Sequence, residues 1–469
     1  MTTNDKTPFD LVVLGAGSGG YAAALRGAQL GLSVALVESD KVGGTCLHRG
    51  CIPTKAVLHA AAVADAARDG AAVGVRSTFE GIDAPALNQY SRAVVDRLYG
   101  GLSGLVAKRG VHLVHATGRL VRDADGLGID TGASGEGVVR GRTVVLATGS
   151  LPKTMGLDID GVRVLTSDHA LWLDELPASA VVLGGGVIGV ELASAWRSFG
   201  VDVSIVEALP RLVPNEEPAI SRILERTFAR RGINVVTSAP MRTIEVREDG
   251  VRVELETNLA IEADLVLVAV GRGPNSSGTG FEEAGVRLDR GHVVVDRALM
   301  TSVPGVFAVG DLVAGPQLAH RGFAHGLFVA ERIANSLGRT TTRPVLVPDA
   351  DIPRVTYSFP EIVSVGLTEA QAMAGGEVET IEYGLGGNGR AQILRTSGLV
   401  KLVRRKDGPI LGVHVVGEGV SELVGEAQLV TSWDAFPDDL ASLVHAHPTL
   451  GEALGEAAMA LAGRPLHAH

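Results

Sequence analysis

Cysteine is nearly missing from this chain: 469 residues hold only Cys46 and Cys51. A secreted disulfide scaffold carries more cysteine in a shorter chain. Two thiols cannot complete a four-ligand zinc site, and no His-x-x-x-His pair stands beside them, so no metal is expected. An excess of positive charge is missing too. Against 42 Lys+Arg stand 53 Asp+Glu, a formal net charge of −11. That leaves no basic footprint for nucleic acid or anionic lipid, and the acidity reads as solubility. Long apolar runs are also absent: strings such as Leu265 to Val270 are strand-length, far below the roughly 20 residues of a membrane-spanning helix. Met1 to Asp10 is polar and runs at once into an apolar strand, so no signal peptide is expected. The resulting expectation is a cytoplasmic protein with no membrane and no nucleic-acid partner. In that reducing setting a close cysteine pair is more often catalytic than structural. No low-complexity segment or solenoid repeat is visible.

Glycine, by contrast, is abundant, with 61 residues. Two groups of it are duplicated in context. Asp10-Leu11-Val12-Val13-Leu14 runs into Gly15-Ala16-Gly17-Ser18-Gly19-Gly20, and Ala180-Val181-Val182-Leu183 into Gly184-Gly185-Gly186-Val187-Ile188-Gly189. Each is G-x-G-x-x-G between an apolar strand and a helical pattern. A lone pattern of this kind is weak in a glycine-rich chain, but the flanks repeat as well. Each helix ends at a glycine 11 residues beyond the last fingerprint glycine (Gly31, Gly200), and each second strand closes on an acid 23 residues after the first (Glu38, Glu207). Two βαβ units with equal internal spacing predict two dinucleotide sites. In each, the first glycine (Gly15, Gly184) permits the tight turn. The second (Gly17, Gly186) lets the pyrophosphate approach the backbone, and the third (Gly20, Gly189) lets helix pack on strand. The phosphates then sit at a helix N-terminus, and the acid accepts from ribose hydroxyls. Glu207 would repel a 2′-phosphate, which favours NAD over NADP. Arg211, four residues on, is a weaker candidate for contacting a phosphate, since Pro210 and Pro214 turn its loop elsewhere.

At about 150 residues per domain, this length suggests roughly three domains. The expected fold class is α/β: two Rossmann-like dinucleotide-binding domains plus a C-terminal α+β unit. Residues 1–150, completed by about 276–345, would form the first nucleotide domain, with helices near 52–69 and 85–109. Residues 151–275 would form the second. A strand at 305–309 leads to Gly310-Asp311 and a helix from about Gln317 to Leu337. The stretch from Pro344 to Pro348 reads as a linker, and 346–469 as the last unit, with strands near 354–366, 398–404 and 410–416.

The cysteines lie in Gly43-Gly44-Thr45-Cys46-Leu47-His48-Arg49-Gly50-Cys51-Ile52-Pro53-Thr54-Lys55. Residues five apart on an ideal helix are about 8–9 Å apart at Cα, beyond the roughly 7 Å that a disulfide spans. A bridge therefore needs a distorted helix, for which Gly50 and Pro53 are the available breaking points; two unbridged thiols are the alternative on spacing alone. Among 13 histidines, those in His445-Ala446-His447-Pro448-Thr449-Leu450-Gly451-Glu452 stand apart. Pro448 favours a helix start that would hold His447 at its entrance. Glu452, one turn in, could accept the other imidazole N–H and fix the tautomer, making a base for a thiol proton.

Gly-Gly-Thr-Cys, four residues, then Cys-Ile-Pro-Thr-Lys resembles the redox signature of the flavin-dependent pyridine nucleotide–disulfide oxidoreductases. The resemblance extends along the chain through both fingerprints, Ala147-Thr148-Gly149-Ser150, Val270-Gly271-Arg272, Ala308-Val309-Gly310-Asp311 and His445-Ala446-His447-Pro448-Thr449. It implies FAD at the first site, with Gly15, Gly17, Gly20, Glu38, Gly44, Thr45, Lys55, Gly118, Thr148, Gly149, Asp311 and Ala319 around it. It implies NAD at the second, with Gly184, Gly186, Gly189, Glu207 and Gly271. Cys46 and Cys51 would form the redox disulfide, Cys51 nearer the flavin and Cys46 meeting the substrate. Lys55 would pair with Glu191 beside the flavin; on residue type alone, solvent-facing charges on helices would be the commonest reading of both. His447 would be the base, with Glu452 behind it, and His445 a structural residue. A homodimer is implied, its C-terminal domains at the two-fold axis and each His447 lent to the partner's disulfide.

Within that family, no further cysteines stand near the C-terminus, and Glu207 occupies a place where glutathione-type members carry arginine. Dihydrolipoamide is therefore the expected substrate and NAD+ the acceptor. The expected partner is a lipoyl-bearing acyltransferase or carrier protein of a 2-oxoacid dehydrogenase or glycine cleavage complex. The alternative is an NAD(P)H-dependent flavin reductase of quinones or another disulfide. A redox-inert FAD-binding subunit would have no use for Cys46, Cys51 and His447. One departure from the family pattern is Leu47-His48-Arg49, where Leu-Asn and an apolar or small residue are common. If Arg49 points at the sulfurs, it would favour the thiolate; the alternative is that it faces solvent and leaves the thiols alone.

Overall fold

The structure, a computed structural model, describes residues 7–133 and 135–467. Most of the polar N-terminal stretch that argues against a signal peptide (residues 1–6) lies outside them. The chain divides into two compact units: Met1–Pro53, Gln89–Pro152 and Arg272–Asp349 form one, and Thr54–Asn88, Lys153–Gly271 and Ala350–His469 the other.

In the first unit, strands Phe9–Leu14, Val34–Glu38, His112–His115, Val138–Leu146 and Val306–Ala308 build a parallel sheet. Val12 pairs with both Ala35 and Val144. Leu11, Val12, Val13, Leu36, Val144 and Val145 are fully buried. Such unbroken apolar strands, covered on both faces, are what a parallel sheet requires. The first half of Val138–Leu146 instead pairs antiparallel with Gly126–Asp130, which pairs with Arg119–Asp123. Helices Ser18–Gln29 and Ala319–Ser336 lie almost in backbone contact: a Cβ on Gly326 would run into Gly19 O, and one on Gly322 would lie 2.6 Å from Ser18 Oγ.

In the second unit, five parallel strands run in the order Asn234–Val236, Asp202–Val206, Ser179–Leu183, Leu265–Val268, Val164–Thr166. Helix Val187–Phe199 lies on this sheet with Leu192, Ala193, Ala195 and Trp196 buried. An antiparallel meander, Met241–Val246, Val251–Leu255 and Ala260–Ala263, adjoins it. The C-terminal part is a separate antiparallel sheet ordered Arg354–Thr356, Glu361–Gly366, Ile410–Gly417, Leu399–Arg405, Val378–Gly384. Helices Val424–Ser432 and Glu452–Leu461 pack on it. The strand expected over 354–366 is two strands of a hairpin, Arg354 facing Ser364, because Pro360 offers no N–H to continue a ladder.

A buried ionic knot ties the start of helix Pro218–Arg230 to the C-terminal sheet. Lys401 Nζ lies 2.8 Å from Glu217 Oε2 and 2.6 Å from Glu369 Oε2, with Lys401 and Glu217 both buried. Burial opposes both charges. Hydrogen bonds from Lys401 and the Glu369 N–H nevertheless hold the Glu217 carboxyl below its ordinary range, and the two carboxylates hold Lys401 above its own. A depressed carboxyl contributes stability above its unfolded value, lost as pH falls through the folded one. A raised amine contributes stability lost as pH rises through its folded value. The knot should therefore be intact at neutral pH and fail at either extreme. Lys401→Ala, leaving the buried Glu217 carboxylate without its cation, should cost about 3–5 kcal/mol in urea unfolding at pH 7, and the deficit should shrink below pH 4. An equal deficit at both pH values would show that the loss is packing alone.

Candidate active site

The two fingerprints have one geometry. Gly15 and Gly184 adopt φ of +96° and +105°, the left-handed region that favours glycine. A Cβ on Gly15 would lie 2.5 Å from Ala147 O, and one on Gly184 would collide with Ala269 O. Gly20 and Gly189 press against the carbonyls of Gly15 and Gly184, where a Cβ would have no room, whereas beside Gly17 and Gly186 the space is open. Gly17 and Gly186 are also the N-caps of helices Ser18–Gln29 and Val187–Phe199, neither capped by a side chain. A clear approach to N–H groups at a helix's positive end fits a pyrophosphate, so the residues present fit two dinucleotides.

The acids sit where the spacing places them. Glu38 Oε2 accepts from Ala16 N at 2.6 Å and Oε1 from Asp40 N at 2.8 Å. Glu207 Oε2 accepts from Gly185 N at 2.6 Å and Oε1 from Leu209 N at 2.7 Å. Each carboxylate is thus part of its own fingerprint loop. Arg211 donates to Pro214 O at 2.6 Å, folding back on its loop as the flanking prolines suggest.

Around the first cradle, Asp311 accepts from Ser150 Oγ at 2.6 Å, and Arg272 Nε donates to that hydroxyl at 2.8 Å. Thr148 Oγ1 donates to Asn275 O at 2.6 Å, and Gly149 (φ +73°) turns the chain beside it. Gly118 is a packing glycine, since a Cβ there would meet Ile129 Cγ2 at 2.5 Å and Leu14 Cδ1 at 2.7 Å. Ala319 opens the helix Ala319–Ser336. In the second unit, Gly271 has φ +105°, and its carbonyl accepts from Lys153 N at 2.9 Å.

The redox segment is seated directly on the first cradle. Gly43 N donates to Ala16 O at 2.8 Å, and a Cβ on Gly44 would lie 2.7 Å from Gly17 Cα. Helix Gly44–Arg49 then stops and helix Cys51–Asp69 begins, with Gly50 between them. A Cβ on Gly50 would sit 3.0 Å from Thr45 O and 3.4 Å from Cys46 Cα, so the chain folds back too tightly for a side chain. Cys46 and Cys51 consequently sit on two successive helices, both half-buried, and Cys51 is the first residue of its helix. Burial pushes the Tyr21 phenol up to about 12, with a further push from the charge of Cys46; no motif flagged Tyr21. His48 Nε2 lies 3.0 Å from Val42 O, and its ring meets Tyr99 edge-on at 5.3 Å. Arg49 is turned towards Asp40 at 3.3 Å, both about half exposed, so the conditional reading that aimed it at the sulfurs is replaced by a surface pair.

In the second unit, Lys55 Nζ reaches both Glu191 oxygens, at 3.0 and 2.8 Å, and Glu191 is 3% exposed. The bland reading of two solvent-facing charges is excluded. Tyr357 completes the arrangement: its N–H donates to Glu191 Oε1 at 2.8 Å and its ring faces Lys55 Nζ at 4.7 Å. It escaped the sequence analysis because a lone tyrosine beside a strand carries no motif.

His447 Nδ1 lies 2.9 Å from Glu452 Oε1, and Glu452 Oε2 accepts from Thr449 N at 2.7 Å. The Thr449 N–H, followed by His447, holds the Glu452 carboxyl below its ordinary range. A carboxylate at Nδ1 places the proton there and leaves Nε2 to accept. The helix begins at Glu452 and not at Pro448: the chain bends through 447–451, and the Glu452 side chain closes that bend. His447 stands 76% exposed.

The description "pyridine nucleotide-disulphide oxidoreductase" matches residues 9–326, and the dimerisation domain of the same family matches residues 352–458. Dihydrolipoyl dehydrogenase of Bacillus subtilis is 37% identical over 98% of this chain and 99% of its own length. That of Geobacillus stearothermophilus is 38% identical over 98% and 97%. Leghemoglobin reductase of Glycine max is 36% identical over 98% and 88%. Among solved structures, LpdA of Mycobacterium tuberculosis superposes with a TM-score of 0.88 at 27% identity, covering 96% of this chain and 99% of that one.

Two outcomes follow from this geometry. Because Arg49 is spent on an exposed pair, which contributes little, Arg49→Val should leave the pH dependence of thiol alkylation in the reduced protein unchanged. A clear shift would mean that the guanidinium reaches the sulfurs. Glu207→Ala should raise the KM for NAD+ and narrow the NAD/NADP ratio in steady-state kinetics; a wild-type protein already preferring NADP would refute the ribose assignment.

Proposed function

The chain belongs to the pyridine nucleotide-disulphide oxidoreductase family, and on that premise we propose that it oxidises dihydrolipoamide to lipoamide while reducing NAD+ to NADH. The observation that carries this reading is the redox segment seated on the first cradle: Gly44 against Gly17, and the helix broken at Gly50 between the thiols. The full-length relatives named dihydrolipoyl dehydrogenase, 36–38% identical, support the substrate. In this reading FAD lies in residues 1–150 completed by 276–345, NAD in 151–275, and the subunit interface in 346–469.

The chain's own groups do the proton and sulfur work. His447 Nε2 takes a proton from a dihydrolipoamide thiol, and Glu452 stabilises the resulting imidazolium. The substrate thiolate attacks Cys46 Sγ of the disulfide and Cys51 leaves as thiolate. The second substrate thiol then attacks the substrate sulfur of the mixed disulfide, expelling Cys46, which takes up that thiol's proton, and closing the lipoamide ring. Cys51, at the positive N-terminus of a 19-residue helix, is held as thiolate by that position. Lys55, pinned by Glu191, adds a fixed positive charge one turn further on. FAD, when bound, supplies the two-electron relay from the dithiol to NAD+. Overall, dihydrolipoamide and NAD+ give lipoamide, NADH and H+. Glu207 and the second cradle hold the nicotinamide nucleotide.

The physiological partner in this reading is a lipoyl-bearing acyltransferase or carrier protein of a 2-oxoacid dehydrogenase or glycine cleavage complex. No described helix is long and apolar enough to cross a membrane. The family's dimerisation domain matches the C-terminal region, and the exposed His447 is lent to the disulfide of a second copy in a closed two-fold dimer.

Steady-state NADH formation from dihydrolipoamide should far exceed NADPH-driven reduction of glutathione disulfide or quinones; the reverse order would replace this reading with the quinone or disulfide reductase alternative. Cys51→Ser and His447→Ala chains should each be nearly inactive alone. Isolated heterodimers of the two keep one intact composite site and should recover up to about half of the wild-type rate. Dead heterodimers would place His447 in its own chain's site.

A further inference from the structure

We propose that His445 is a positioning residue which, with Glu426, aims the His447 imidazole; this rests on His447 being the base. His445 and His447 flank Ala446 on a non-helical stretch, and they differ sharply in exposure. The His445 side chain is 15% exposed and that of His447 76%.

The inward ring is clasped on two sides. His445 Nε2 lies 2.7 Å from Glu426 Oε1 on helix Val424–Ser432. On the other side it rests on the start of helix Glu452–Leu461: a Cβ on Gly455 would lie 2.7 Å from His445 Nδ1, and one on Gly451 3.6 Å from Cδ2. Glycine disfavours a helix by about 1 kcal/mol relative to alanine. Gly455, on the face turned to His445, is accounted for by the ring that fills the space of its missing side chain. The far end of the loop is fixed separately, by Asn388 Nδ2 donating to Thr449 O at 2.9 Å and Glu452 accepting from Thr449 N. The bond to Glu452 sets the tautomer and tilt of His447, and the His445 clasp sets where its backbone stands. A base on an exposed loop needs both, because an error of about 1 Å in placing a reacting group can cost on the order of a hundredfold in rate.

The test separates this role from general stability. His445→Ala should lower kcat for dihydrolipoamide oxidation roughly ten- to hundredfold. NADH-driven reduction of ferricyanide, a one-electron acceptor needing neither thiols nor base, should be unchanged, as should FAD content. His445→Gln, whose amide N–H can reach Glu426, should recover much of the loss, and Gly455→Ala, which pushes on the ring, should reproduce it. Wild-type kcat in His445→Ala, a parallel fall of both activities with Tm, or no recovery in His445→Gln would each overturn the proposal. His447→Gln is the control for the premise: if it still turns over dihydrolipoamide at the wild-type rate, the assignment of the base has failed, whatever His445 does.

Discussion

The constraint on which both cradles depend is the contact between the third and first glycines of each fingerprint, Gly20 on Gly15 O and Gly189 on Gly184 O. No side chain fits there, and everything functional in the two cradles follows from that closeness. It lets each helix start directly above the end of its strand, so unpaired N–H groups face outwards at the point where a pyrophosphate binds. In the first cradle it also sets the shelf on which the redox segment stands. With Gly43 bonded to Ala16 O and Gly44 against Gly17, the helix carrying Cys46 cannot move without moving the fingerprint. The thiols inherit the rigidity of the sheet, the arrangement that precise chemistry requires.

What could be read from the residues was what repeats or clusters. The fingerprints were legible because equal spacings in two places bear on one geometry, and the break between the thiols only on the condition that they bridge, since a disulfide cannot span five residues of a straight helix. The strand Val378–Gly384 and the meander at 241–263 were not anticipated. The first is half-exposed along most of its length and the second is interrupted by charged residues, so neither offers a continuous apolar run. The start of the last helix was misplaced by four residues because a proline can open a helix or end a bend with equal ease. What decides it here is a side chain, Glu452, reaching back to Thr449 and His447.

Direction is the property that escaped sequence reasoning. Arg49 and His48 both stand between the cysteines, yet one turns to Asp40 at the surface and the other to Val42 O and Tyr99. The pairing of Lys55 with Glu191, 136 residues away, was implied by the family resemblance and not by residue type. Residue type gives the chemistry available to a side chain; only the packing of a distant helix decides whether that chemistry meets a thiol, a carboxylate or water.

The carboxylate at the second cradle shows how such packing becomes specificity. An exposed, mobile glutamate could swing away from an incoming 2′-phosphate, and its repulsion would be weak and screened. Glu207 cannot do this freely. It is buried and holds two backbone N–H groups, Gly185 and Leu209, so leaving would break two hydrogen bonds to a charged group, each contributing about 1.5–3 kcal/mol. In the proposed reading, the N–H groups of Gly185 and Leu209 hold this negative charge against an incoming 2′-phosphate. Discrimination against NADP would then rest on main-chain geometry as much as on the acid itself.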